Sequence, residues 1–181
     1  MESLAELASC QLADATVRWT VRLSVLCYVA RLAVDLVSGR STIRVRAARL
    51  ARSLWIIGAV LFTLHVVAAF GLVHDWSHAR AWVATAEQTE DAIGVRSGAG
   101  LYANYLFGLV WIVDAVVWRR SDPLWAYRSP IRYWTIQSFF AFMVFNATVV
   151  FGPPWWRPVF VLVAIGSLLI LPLRFRFRLF G

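Results

Sequence analysis

The sequence predicts an all-α integral membrane protein: a single bundle of about five transmembrane helices, four strong and one weaker at the N-terminus. Three observations predict it. Hydrophobic residues fill 60% of the 181 positions, against roughly 45–50% in a soluble domain. They are gathered into long blocks, as a hydrocarbon solvent demands. Ten tryptophans, twelve phenylalanines and five tyrosines supply the rings that collect at lipid–water boundaries.

The elements follow in chain order. The first span, 20–37, is apolar but carries Arg22, Arg31 and Asp35. Arg31 and Asp35 stand four apart, so they share a helix face and can pair. The pair is read as structural, turned into the bundle or held at a tilted helix end. Spans 54–73, 101–118, 133–151 and 158–173 are cleaner, each near the ~20 residues that cross ~30 Å of hydrocarbon. Backbone groups in lipid must bond within their own segment, so such blocks form helices. Alternating ten-residue segments, the barrel signature, are absent from the sequence.

Between the second and third spans, the run from 53 to 93 reads either as one long helix or as a span followed by an interfacial helix. Ser97-Gly98-Ala99-Gly100 ends that excursion. Gly152-Pro153-Pro154-Trp155-Trp156 makes a tight last turn, with prolines that stop the helix and tryptophans suited to the interface. The sequence shows no repeat and no soluble domain.

The net charge is +8, and every basic residue is arginine. Twelve arginines, from Arg40 to Arg52, from Arg119 to Arg132 and from Arg174 to Arg178, fall on one side of the four strong spans. The other side holds Arg80, Arg96 and Arg157. The positive-inside rule accounts for this placement, so nucleic acid is not the expected partner. The expected setting is a bacterial inner membrane, with a multi-pass chain, a cytoplasmic C-terminus and an outer N-terminus. The expected partners are the bilayer and other membrane subunits or further copies of the chain. Residues 1–14 are acidic, so no cleavable signal is expected. Cys10 and Cys27 lie apart and form neither a disulfide framework nor a zinc motif.

Histidine is the chemistry-bearing residue. His65 falls ~16 Å into its span, near mid-bilayer, where an imidazole needs a partner. It is a candidate axial ligand for haem b, part of a proton or quinone site, or a bond to a neighbouring helix. Met143 lies at similar depth and is the candidate second haem ligand; its alternative is apolar filler. His74-Asp75-Trp76-Ser77-His78 places two histidines at i,i+4, on one helix face, as a shared transition metal requires. Asp75 is a third candidate ligand, with Glu87, Glu90 or Asp91 in reach if the outer segment folds back. On a straight helix His65 points away from both His74 and His78, so one site cannot use all three.

Asn104 and Asn146 both fall in the outer half of the membrane. They can bond to each other or line an outward pocket with Tyr102 and Tyr105. Asp114 is read as neutralised by Arg119 or Arg120. The stretch 65–105, with His74 to His78 and Gly100-Leu101-Tyr102-Ala103-Asn104-Tyr105, and the stretch 141–152 resemble uncharacterised bacterial inner-membrane proteins of similar size. The resemblance covers about a third of the chain. Those relatives carry more histidine, for example near Gln137, and the resemblance implies no activity.

Three function classes emerge. The first is a redox- or metal-associated subunit of a larger membrane complex, serving electron transport through haem b or a transition metal. The second is a cofactor-free structural accessory subunit. The third is a small transporter or metal-handling protein. Whether the chain is an enzyme is left open.

Overall fold

The computed structural model describes residues 4–39 and 43–152, with Pro158, Val161, Leu162 and Ile165 beyond them. All regular structure among the described residues is helical: α1 (Leu4–Ser38), α2 (Val45–Ala68), α3 (His78–Ile93), α4 (Gly100–Arg120), α5 (Trp125–Arg128) and α6 (Pro130–Phe145). Two π-helical turns, Ala69–Val73 and Asn146–Val150, continue α2 and α6.

Three helices are long and apolar enough to cross a membrane: Val45–Val73, Gly100–Arg120 and Pro130–Val150. They correspond to the expected spans at 54–73, 101–118 and 133–151. The helix holding 54–73 begins nine residues earlier than expected, because Arg46 and Arg49 stand exposed on its first turns rather than in a loop. The weaker expected span, 20–37, lies inside the 35-residue α1, which is not among the three apolar helices. Arg22, Arg31 and Asp35 within that stretch, with Arg18 just before it, lower its hydropathy. The expected span at 158–173 lies outside the described residues, apart from the four isolated positions named above.

Local signals set the helix ends. Ser77 and Ser129 cap α3 and α6, their hydroxyls accepting from the Arg80 and Arg132 amides at 3.3 Å. Pro130 occupies the first turn of α6, where its missing N–H costs nothing. Gly94, at φ 75°, closes α3 in the left-handed conformation that glycine adopts freely.

The helices pack through small residues and rings. α1 and α2 run antiparallel: Val17 meets His65, and seven residues along α1, Ser24 meets Gly58. A heptad step on both helices is the spacing of shallow-angle packing. The buried stripe of α2, namely Ala48, Ala51, Trp55, Gly58, Ala59 and Phe62, recurs at three- and four-residue intervals. Phe140 of α6, with no exposed surface, sits at the centre of the core. Its ring lies 4.5 Å from Phe107, 4.6 Å from Trp55, 5.0 Å from Trp111 and 5.7 Å from Tyr28, centroid to centroid. Outward faces are apolar: Leu109, Phe142 and Ile131 are 60%, 61% and 81% exposed. That inversion suits lipid as the surrounding solvent.

Gly58 is the tightest point of the crossing. A Cβ there would stand 2.6 Å from the Trp111 ring and 3.3 Å from the Cys27 Cβ. Trp111 is also pinned, its indole N–H donating to the Trp55 carbonyl at 3.1 Å. Gly58→Ala is therefore expected to lower stability by about 1–3 kcal/mol through overpacking. Thermal unfolding of the detergent-purified protein checks it; an unchanged midpoint would show that the ring can yield.

Candidate functional site

Two polar regions lie at opposite ends of the bundle. The first surrounds Arg31 and Asp35, both almost fully buried, their side chains 2% and 4% exposed. The pair faces protein rather than a snorkelling helix end. The Asp35 carboxylate receives Arg31 Nη2 at 3.3 Å, the Tyr127 hydroxyl at 2.6 Å and the Tyr133 hydroxyl at 2.8 Å. The Arg31 guanidinium also stands over three rings: Trp55 at 5.0 Å, Tyr133 at 5.2 Å and Trp118 at 5.8 Å. Burial, and then the neighbouring Asp35 charge, push the Tyr127 phenol well above its ordinary pKa, so it remains a donor.

The second region is a cavity of about 560 Å3 between the other ends of α1, α2, α4 and α6, with α3 beside it. His65, His74, Asn104, Tyr105, Met143 and Asn146 all line it. Six residues picked from the sequence thus meet at one place. Tyr102 is not in the lining; it is exposed and packs against Trp82, ring centroids 5.4 Å apart.

Both π turns border this cavity, contributing Ala69 and Phe70 from one and Asn146 and Ala147 from the other. A π turn widens a helix by one residue and is found disproportionately at functional sites. Sequence reasoning missed both turns, because a wider turn leaves no mark in a short apolar run. It also missed Thr85, Gln88 and Thr89 of α3, which add polar groups to the wall. The uncharged polar run within α3, Thr85, Gln88 and Thr89, was the available signal.

His65 is held by α1. Its Nδ1 lies 2.9 Å from the Val17 carbonyl. A carbonyl only accepts, so Nδ1 carries the proton and Nε2 keeps the lone pair. The expected helical face through His74 and His78 does not form. Asp75 and Trp76 adopt left-handed backbone at φ 46° and 57°, and α3 starts only at His78. The alternative of one continuous helix from 53 to 93 is corrected with it. The turn is closed by the Trp76 amide donating to the Phe70 carbonyl at 2.7 Å and the Ser77 amide to His74 at 2.8 Å.

The three outer candidates take separate partners. His74 packs on Phe70 at 6.0 Å. His78 Nδ1 meets the Tyr105 hydroxyl at 2.9 Å. Asp75 pairs with Arg80. Glu87 and Glu90 are taken by Arg96, at 3.4 and 2.9 Å. Among the described residues no three His, Cys, Asp or Glu side chains gather as a metal site. Of the two alternatives for Asn104 and Asn146, the cavity lining matches the pocket: both line it with Tyr105, and Asn146 Nδ2 donates to the Phe142 carbonyl of its own helix at 2.8 Å.

No family model, curated protein or solved structure matches the chain.

The Asp35 geometry makes a graded prediction. Asp35→Ala strands a buried cation and two tyrosine hydroxyls, and should cost about 3–5 kcal/mol. Asp35→Asn keeps an acceptor oxygen for the tyrosines and should cost less. Unfolding of both variants in detergent decides; equal losses would remove the tyrosines from the account.

Proposed function

We propose that the chain is a small redox-associated subunit of a bacterial inner-membrane complex, with a haem b group or a transition metal held at His65. The observation that carries this reading is the cavity in which His65, oriented by Val17, and Met143 share one wall system. Nδ1–H bonded to a backbone carbonyl is the second-sphere pattern of a ligating histidine, since it fixes the tautomer and leaves Nε2 as donor. The chemistry of the pair, imidazole nitrogen and thioether sulfur, fits an iron ligand set. One-electron exchange is what the iron would supply. The chain's own part is to orient His65, to present Met143, and to wall the site with Phe62, Phe107 and Trp111. In this reading the topology has five spans, N-terminus outside and C-terminus in the cytoplasm, as the arginine distribution favours.

The cofactor-free accessory subunit is the second reading. The Val17–His65 bond itself favours it, because it ties α1 to α2 without any cofactor. The metal reading of His74, Asp75 and His78 requires their present partners to be exchanged, and enters only as an outcome of the test.

A reduced-minus-oxidised visible spectrum of the detergent-purified protein, with metal analysis of the same sample, is the test. Soret and α bands are expected. His65→Ala should abolish them, Met143→Leu should shift them, and His74→Ala with His78→Ala should leave them in place. A colourless protein holding zinc or copper lost with the outer histidines would move the site to the outer turn. A colourless, metal-free protein would leave the accessory subunit in front. The topology is checked separately: a reporter active only in the cytoplasm should work when fused after Gly181, and an active periplasmic reporter there would invert the orientation.

A further inference from the structure

At the Arg31 end of the bundle, two arginine clusters distant in sequence come together. The Arg52 guanidinium donates to the Ser121 carbonyl at 3.1 Å, docking the start of α2 on the end of α4. Arg44, Arg46 and Arg49 of the first cluster, and Arg119 and Arg120 of the second, are all exposed. Beside them Arg128 pairs with Asp122 at 3.4 Å, and Asp122 is the one exposed acid of the α4–α6 connection. None of those five arginines has an ion pair among the described residues. The first turn of α2 carries no acidic residue, and its N-cap makes no side-chain bond.

The border of this patch is apolar. Val45 and Leu50, on the same turns as the arginines, are 44% and 53% exposed. Across the same end, Ile131 and Trp134 open α6 toward the outside at 81% and 59%. Exposed guanidinium groups next to exposed aliphatic and aromatic side chains match an amphiphile, not a soluble anion. Phosphate oxygens take the guanidinium fork, and acyl chains lie along the apolar belt.

We propose that this end is a binding surface for anionic phospholipid, a phosphodiester headgroup seated between the start of α2 and the end of α4. The reading is independent of any cofactor at His65 and requires only that the three apolar helices sit in a bilayer.

The test uses the full chain in a neutral detergent, given phosphatidylglycerol or phosphatidylcholine at equal mole ratio, with the unfolding midpoint and lipid retention in native mass spectrometry as readouts. Phosphatidylglycerol is expected to raise the midpoint and stay bound, with an effect that fades as salt rises from about 50 to about 500 mM. Each of Arg46→Gln, Arg49→Gln, Arg119→Gln and Arg120→Gln should weaken retention about fivefold. Among the described residues these side chains have no ion pair, so their loss should leave the midpoint in phosphatidylcholine unchanged. Arg80→Gln with Arg96→Gln, at the other end, should retain the lipid as the unaltered chain does. Equal retention of the two lipids, an equal shift from glycerophosphate alone, or equal loss in the Arg80/Arg96 variant would overturn the proposal. So would an acidic protein that displaces the lipid from the same arginines.

Discussion

The buried Arg31–Asp35 pair is the constraint around which the described structure is arranged. Two opposite charges on one helix would be costly in hydrocarbon if each stood alone. Here the carboxylate is met by three donors from three elements, and the guanidinium by three rings from α2, α4 and α6. Satisfying one ion pair therefore fixes the positions of α1, α2, α4, α5 and α6 at that end. Cation–π contact supplies part of what water would otherwise give the guanidinium.

Anchoring one end determines what happens at the other. With α1 held at Arg31 and kept in step with α2 through Ser24 and Gly58, its backbone reaches His65 at Val17. The aromatic layer around Phe140 fills the middle of the bundle. Beyond it α2 and α6 widen into π turns. The cavity occupies that end. The molecule thus places a buried, charge-compensated pair at one end and a cavity at the other. The arginine patch lies at the ion-pair end, on the exposed starts and ends of helices that pack below it.

Helical class, membrane character and three of the spans were legible in the sequence, because hydropathy and segment length report directly on the solvent a helix must face. Spacing alone also supplied the Arg31–Asp35 pair, since i,i+4 geometry is a property of the helix itself. His65 and Met143 were legible as polar or soft groups near mid-bilayer, and Asn104, Asn146 and Tyr105 as groups of an outer pocket. The same reasoning failed at His74 and His78: it assumed a continuous helix, and the chain instead turns through Asp75 and Trp76.

What the sequence determined by itself was the set of elements and the cost of each polar group within them. What only the tertiary structure decided was which partner meets that cost. Tyr127 and Tyr133 lie more than ninety residues from Asp35, and no local pattern selects them over other hydroxyls. Val17 offers a backbone carbonyl that every residue possesses, so its role depends on the register of α1 against α2. Registers and π turns follow from steric fit between distant side chains, such as Gly58 against Trp111. Fit of that kind appears only once the helices are in contact.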